Sequence, residues 1–372
     1  MSSKVKTIYD LKKWILDDGL HIDFREIDGY NKPFNYIICS RSAGKSSQIW
    51  KKLYNNFKET GTPSIVLRRK IVDITEQYIN DIATLINKFT DNDIELEFKK
   101  SNIKQGMLDV FLNGKIFFRV IALSTSMNRL KSMVLRHVKF LIFDEFIINA
   151  RCGEKYEKNE VFKFQELYNT YNRESDSFIK CYFLGNPYSN FFPYATWLHI
   201  DTRKLKKGAL LTGSNWLVWC YELKPELIQH LKDTNPLYED SDSDYVKYAF
   251  GEAINDQYIR ICENQPQGFR LEYTFKIEGQ IVGIFRNYDV MATRPMSEVD
   301  LDYWAKVLDK NEVSKYRDIF TFDFAEMMDQ TILINRGHKY YLEDLKDAIE
   351  QRTIAYQNID ASYLVESIYV NI

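Results

Sequence analysis

A chain of 372 residues with 45% hydrophobic residues, 25 tyrosines and 24 phenylalanines can bury a sizeable core, in one large domain or in two. Its 27% charged residues and net charge of −2 describe an ordinary globular protein and argue neither for nor against nucleic acid, so any phosphate contact has to come from local basic clusters. Five scattered cysteines (Cys39, Cys152, Cys181, Cys220, Cys262), an odd number with no CxxC pair, suit reduced thiols better than a disulfide framework or a zinc site. The five histidines form no metal-binding pattern. The polar stretch Met1–Lys13 lacks the apolar core of a signal peptide, and no run approaches the roughly eighteen apolar residues of a membrane span. A soluble, intracellular protein without a membrane partner is expected.

Along the chain, an amphipathic helix is expected over Ile8–Asp18, with a polar connector to Pro33. Short apolar runs then alternate with helical patterns. Strands are expected at Asn35–Cys39, Ser64–Arg68, Phe140–Phe143 and Ile179–Leu184, and helices at Ser46–Thr60, Thr75–Phe89 and Glu160–Asn172. Leu108–Leu112 and Lys115–Ala122 read as a hairpin about the turn Asn113-Gly114. Continuous apolar strands alternating with helices are the pattern of a mainly parallel α/β sheet. Beyond Trp219 the texture changes: helices at Pro225–Leu231 and Asp244–Asn255 flank the acidic stretch Tyr238–Asp244, and Glu263–Gly268 reads as a linker. Strands at Leu271–Ile277, Gln280–Arg286 and Ile319–Phe324, with terminal helices within Tyr341–Ala355, complete a smaller α/β domain. The expected division is a P-loop domain over residues 1–220, a helical linker over 221–268 and a C-terminal domain over 269–372.

The chemistry concentrates in three motifs. Cys39-Ser40-Arg41-Ser42-Ala43-Gly44-Lys45-Ser46 lies between an expected strand and helix, the context a Walker A loop requires, though Cys39 stands where the motif has its first glycine. Backbone N–H groups of Ser40 to Ser46 and the helix N-terminus would cradle ATP phosphates, Lys45 would neutralise the β- and γ-phosphates and Ser46 would ligate Mg2+. About a hundred residues downstream, Phe140-Leu141-Ile142-Phe143-Asp144-Glu145 is an apolar strand ending in two carboxylates. Asp144 suits the second Mg2+ ligand of a Walker B motif, and Glu145 the general base that polarises water. The strand end Phe183-Leu184-Gly185-Asn186-Pro187 offers Asn186 either as a sensor of the γ-phosphate or as plain turn chemistry.

Among the cations, Arg41, Lys131 and Arg173 are candidates for nucleotide contact, with Arg173 the candidate arginine finger and Arg41 acting within its own subunit. Basic clusters at Arg68-Arg69-Lys70, at Arg129 with Lys131 and at Lys204-Lys206-Lys207 offer phosphate-backbone contact or a solvated face. The acidic stretch Glu239–Asp244 has no glycine or closing glutamate in register for a calcium loop and reads as a solvated loop.

Taken in order, SRSAGKS, VLRRK, FLIFDEF, YNRES and FLGNP followed by SNFFPY resemble the DNA-packaging (encapsidation) ATPases of small tailed phages with terminal-protein-capped genomes, a group related to the large terminase motors. The resemblance implies an ASCE-type P-loop NTPase followed by a ribonuclease-H-like domain that has lost its nuclease activity. It implies a homo-oligomeric ring, a pentamer, that docks transiently in the host cytoplasm at the portal, or connector, of a procapsid and is absent from the mature virion. Double-stranded DNA and a structural packaging RNA are its implied partners. Position by position, the resemblance carries Lys131 over as a residue acting on the neighbour's nucleotide and places the trans-acting arginine in Tyr171-Asn172-Arg173. A nuclease would need acids converging on metal ions, and Glu278, Asp289 and Asp323 are the acids on offer. Two other readings stay open: a large-terminase-like ATPase with an active nuclease, and a nucleotide-dependent switch that does not translocate. Glu145 speaks against the switch, which needs no strong base.

Overall fold

The computed structural model describes residues 20–90, 94–99, 104–126, 135–149, 154, 156–157, 160–173, 177–189, 192–238, 246, 250, 260–277, 279–288, 301–313, 318–322, 331–334, 342–351 and 353–371. The chain divides into two units, one of Met1–Asn190 with Asp201–Asn255, the other of Phe191–Ile200 with Asp256–Ile372.

The first unit is built on nine strands: β1 (Phe34–Ile38), β2 (Ser64–Arg68), β3 (Glu97–Phe98), β4 (Met107–Leu112), β5 (Lys115–Ala122), β6 (Phe140–Asp144), β7 (Lys180–Gly185), β8 (Leu210–Thr212) and β9 (Trp216–Cys220). Their order is β3-β4-β5-β2-β6-β7-β1-β9-β8. The six strands from β5 to β9 in that order are parallel, and only the edges β3-β4-β5 and β9-β8 run antiparallel. Every residue of β1 is buried, as a strand covered on both faces requires.

The helix Lys45–Thr60 lays Ile49, Trp50, Leu53 and Phe57 on one face of the sheet, and Glu76–Asn87 adds Ile79, Ile82 and Ile86 to the same core. Each such side chain contributes about 1.5–3 kcal/mol when fully buried, an upper estimate. The opposite face receives Glu160–Asn172, whose Phe164 ring lies 5.0 Å from that of Phe183 on β7. The hairpin turn falls at Asn113 (φ 52) and Gly114 (φ 72), both left-handed as a two-residue turn demands. The strand β9 was not among the expected elements. The expected helix Ile8–Asp18 lies outside the described residues, as does all of Asp244–Asn255 except Val246 and Phe250.

The stretch expected as a helical linker is largely packed. Pro225–Thr234 is a helix, and Leu223, Leu227, Leu231, Tyr238, Val246 and Phe250 join the core of the first unit. Apolar spacing on that helix gives it a face to bury, and the stretch Asp201–Asn255 belongs to the first unit.

The second unit has seven strands: β10 (Arg260–Ile261), β11 (Phe269–Ile277), β12 (Gln280–Asn287), β13 (Tyr303–Val307), β14 (Ile319–Thr321), β15 (Thr331–Leu333) and β16 (Ile354–Tyr356), in the order β10-β16-β13-β12-β11-β14-β15. β11, β12 and β13 form an antiparallel meander, with β14 parallel to β11 and β15 parallel to β14. That five-strand arrangement is the ribonuclease-H-like order, extended here by β16 and β10. Helices Glu343–Gln351 and Ile359–Asn371 cover one face. Where terminal helices alone were expected up to Ala355, the apolar run Ile354-Ala355-Tyr356 is a buried strand paired in parallel with β13, because both faces of the sheet are covered there: Ile354 and Tyr356 join one core and Ala355 the other.

Candidate functional site

The loop after β1 explains how a cysteine fits the first Walker A position. Cys39 continues the ladder by one residue, its N–H donating to Gly185 O at 3.1 Å. The left-handed backbone of the loop falls instead at Ser42 (φ 65) and Gly44 (φ 90). Cys39 is buried, and burial pushes its thiol pKa up. Gly44 is needed as glycine twice over: its φ disfavours a side chain, and a Cβ there would stand 3.2 Å from Cβ and Cδ2 of His21. The segment bearing His21 laces over the loop, with Ile22 N–H donating to Ala43 O at 3.0 Å.

The helix Lys45–Thr60 starts at Gly44, so its first N–H groups and the positive end of its dipole face the loop. Lys45 Nζ donates to Cys39 O (3.1 Å), Ser40 O (3.2 Å) and Asn186 Oδ1 (2.6 Å). These are acceptors a phosphate oxygen can replace. Ser40 and Ala43 are buried, while Arg41, Ser42 and Ser46 are exposed.

Strand order brings the other two motifs to this loop. β7 lies between β1 and β6, so Asn186, just past the end of β7, falls between Lys45 and the Walker B carboxylates. Together they line a cleft of about 350 Å3 with Arg41, Ser42, Gly44, Lys45, Ser46, Asp144, Glu145 and Asn186 on its walls. Tyr188, which sequence reasoning missed, completes the array. Its phenol oxygen accepts from Arg41 Nη2 at 3.2 Å and from Asn186 Nδ2 at 3.3 Å. Nothing in the spacing of one tyrosine among 25 marked it.

Asp144 ends β6, and burial raises its carboxyl pKa, with Arg68 acting in the opposite direction. The Ser46 hydroxyl and the Asp144 carboxylate are both hard oxygen donors opening on the cleft, a set that fits Mg2+. Glu145 follows with φ 60, a left-handed glutamate, and its side chain is 59% exposed.

The cluster Arg68-Arg69-Lys70, a candidate for DNA contact, is placed differently residue by residue. Arg68 Nη2 donates to Glu145 Oε2 at 2.9 Å and Nη1 lies 3.5 Å from Asp144 Oδ2. Arg69 is 8% exposed and paired with Glu160. Both point into the protein because the acids at the ends of neighbouring elements draw them there, and only Lys70 of the three is exposed. Arg129 and Lys131 lie outside the described residues. Arg173 is exposed at the C-terminal end of Glu160–Asn172. The start of that helix is tied to Arg69, beside the Walker B end, and its thirteen residues span roughly 20 Å. Arg173 therefore sits at the end of the sheet opposite its own P-loop.

A phosphate loop on one strand, an acidic pair on the strand next but one, and a polar residue on the strand between them define an ASCE-type P-loop NTPase. The match to known proteins narrows this class. Residues 16–217, more than half of the chain, match the family described as podovirus DNA encapsidation protein (Gp16), and the chain belongs to that family. It is 25% identical over 349 residues to a DNA packaging protein of Bacillus phage phi29, an alignment covering 92% of this chain and 95% of that one. The fold resembles that of the Phi-28 gp11 DNA packaging motor, with a TM-score of 0.61 at 16% identity over 94% of this chain and 97% of that one. It also resembles a chain of the bacteriophage Phi-29 viral genome packaging motor assembly, with a TM-score of 0.55 at 19% identity over 95% of this chain and 100% of that one.

Proposed function

We propose that this chain hydrolyses ATP to drive double-stranded viral DNA into a preformed procapsid, working at the portal as one subunit of a homo-oligomeric ring. The observation that carries this reading is the meeting of Lys45, Asp144, Glu145 and Asn186 on one cleft at the carboxyl ends of β1, β6 and β7. Membership of a DNA encapsidation family supplies the cargo.

The chemistry follows from the side chains. The loop amides and the helix N-terminus bind the phosphates, and Lys45 exchanges its carbonyl and Asn186 acceptors for β- and γ-phosphate oxygens. Asn186, released from Lys45, is then free to hydrogen-bond the attacking water or the γ-phosphate. Glu145 accepts the proton of that water as its oxygen bonds to the γ-phosphorus and the bond to the ADP oxygen breaks. Mg2+, when bound, offsets phosphate charge, and Ser46 with Asp144 would hold it.

Arg173 cannot reach its own P-loop from the far end of the sheet, which supports a role on a neighbouring subunit's nucleotide; Lys131 is proposed for the same service. A motor needs no base-reading contact, so phosphate contact by Lys70 and Arg129 suffices for grip. A five-membered ring and a structural RNA at the portal are further parts of the proposal. The second unit is read as non-catalytic. Phe275 of β11 and Phe320 of β14 are paired partners, and the ring of Phe322 stacks on that of Phe275 at 5.9 Å. Aromatic rings thus occupy the adjoining central strands, where a two-metal nuclease would place carboxylates. Glu278, Asp289 and Asp323 lie outside the described residues.

The test is ATP-dependent protection of duplex DNA from added nuclease, in the presence of portal-bearing procapsids. Wild-type protein should protect DNA and Lys45→Ala should not. Protection that is equal with and without ATP would reject the motor. ATP-dependent cutting of the DNA would favour a packaging enzyme with a working nuclease.

A further inference from the structure

We propose that the buried Arg69–Glu160 ion pair is what positions Glu145 for hydrolysis, with Arg69 as the positioning residue and Glu160 as the group that holds it. The proposal rests on the reading of Glu145 as the carboxylate that orients the attacking water.

Side chains alternate along the end of β2, so Arg68 turns to the Walker B carboxylates and Arg69 to the other face. A buried guanidinium is tolerated only if its donors are met. Arg69 Nε donates to Glu160 Oε2 at 2.8 Å and Nη2 to Glu160 Oε1 at 3.2 Å, a two-pronged grip on one carboxylate. The rest of the fork reaches the backbone beside the catalytic residue: Nη1 donates to Glu145 O at 3.0 Å and Nη2 to Phe146 O at 2.8 Å. The rings of Phe143 and Tyr156 lie 5.4 and 5.2 Å from Arg69 Cζ. Glu160 is itself buried, and its Oε2 also accepts from Glu157 N–H at 2.9 Å.

Glu145 needs such a restraint. A glutamate at φ 60 is held there by its surroundings rather than by its own preference. Its side chain is largely exposed and bonds Arg68 Nη2 at its tip, so the direction of its carboxylate depends on the backbone that carries it as well as on that exposed ion pair. One guanidinium fixes its carbonyl and the next one, and Phe146 N–H donates to Leu184 O at 3.2 Å. Without Arg69 the residue is free to relax to an ordinary φ, which turns the carboxylate off the cleft. A lysine at position 69 keeps the charge but has no planar fork to hold two carboxylate oxygens and two carbonyls together.

A purely structural pair would only fasten the helix Glu160–Asn172 to the sheet, and the two roles can be separated. Replacing a buried ion pair by apolar residues of similar volume is often neutral or stabilising, so Arg69→Met with Glu160→Leu should preserve the fold while removing the carbonyl anchors. The experiment compares the full-length wild type, this double variant, Arg69→Lys and, as reference, Glu145→Gln, by melting temperature, affinity for a fluorescent ATP analogue and single-turnover ATP hydrolysis. The double variant and Arg69→Lys should melt close to wild type and bind nucleotide within about threefold, yet hydrolyse at least about tenfold more slowly. Hydrolysis by the double variant at the wild-type rate, with Glu145→Gln inactive, overturns the proposal and leaves the pair a fastener. Wild-type hydrolysis by Glu145→Gln removes the reading of Glu145, and the proposal falls with it; the reference variant alone reveals that case. Should the double variant melt early, Arg69→Lys decides by the same two criteria.

Discussion

Arg68 Nη2 lies 2.9 Å from Oε2 of Glu145, so the carboxylate proposed to orient water is paired with a cation from β2, the strand directly beside β6. The guanidinium is held from behind by the Tyr78 ring, 4.9 Å from its Cζ. Arg68 thus competes with water for the Glu145 carboxylate. Because Glu145 is 59% exposed, the pair is worth no more than about 0.2–1 kcal/mol. Arg68→Ala should therefore raise the DNA-independent ATPase rate by a modest factor, up to about fivefold at the upper end of that range. Steady-state hydrolysis without DNA checks this, and a lower rate would show that Arg68 assists the base instead.

Tyr188 holds two partners with one oxygen. Its phenol accepts from Asn186 Nδ2, which turns Asn186 Oδ1 towards Lys45, and from Arg41 of the loop. Tyr188→Phe removes both bonds and keeps the ring. The neutral bond to Asn186, the one that orients the candidate sensor, contributes about 0.5–1.5 kcal/mol, so kcat should fall by roughly 2- to 10-fold with little change in melting temperature. An unchanged kcat in the presence of saturating ATP would mean that Asn186 is oriented without it.

Cys39 occupies the place of a glycine without using a glycine's freedom. Cys39→Ala should leave kcat within about twofold and cost on the order of 1 kcal/mol of stability, the loss of one small buried group. Burial raises the thiol pKa, so the folded protein keeps its proton where an unfolded thiol, with a pKa of about 8.5, loses it. The contribution to stability is therefore full below about pH 8.5 and declines as pH rises towards the folded pKa. Comparing denaturation midpoints of wild type and Cys39→Ala at neutral and alkaline pH measures it: the difference between them should shrink as pH rises.

Arg173 at the far end of its helix makes a prediction about mixed rings. Glu145→Gln and Arg173→Ala should each be nearly inactive alone. Mixed before assembly, they place an intact Glu145 beside an intact Arg173 at some interfaces, and part of the activity should return. Removing a finger of this kind costs about 10³- to 10⁵-fold, so even a small restored fraction is measurable. Arg173→Ala with wild-type activity would exclude Arg173.

The parts of this protein that could be read from its sequence are those in which neighbours in the chain are neighbours in space. The turn Asn113-Gly114, the loop from Ser40 to Ser46 and the acidic end of β6 each declare themselves within a few residues. The strand β9 carried a similar signal, five apolar residues after Gly213-Ser214-Asn215, yet no motif drew attention to it. Arg68 and Arg69 were different. Their partners Glu145 and Glu160 lie 77 and 91 residues further along. A row of basic residues looks like a nucleic-acid contact until strand order shows which acids stand beside it. Asn186 likewise gained its meaning only when β7 was found between β1 and β6.

The most direct measurement is steady-state ATP hydrolysis by wild type and Glu145→Gln, each with and without non-specific duplex DNA. Wild type should hydrolyse ATP faster when DNA is present, and Glu145→Gln should bind ATP yet turn over at least about 100-fold more slowly, the contribution expected of a general base. Equal rates for the two proteins would contradict the assignment of Glu145, and a wild-type rate indifferent to DNA would point to a nucleotide switch in place of a motor.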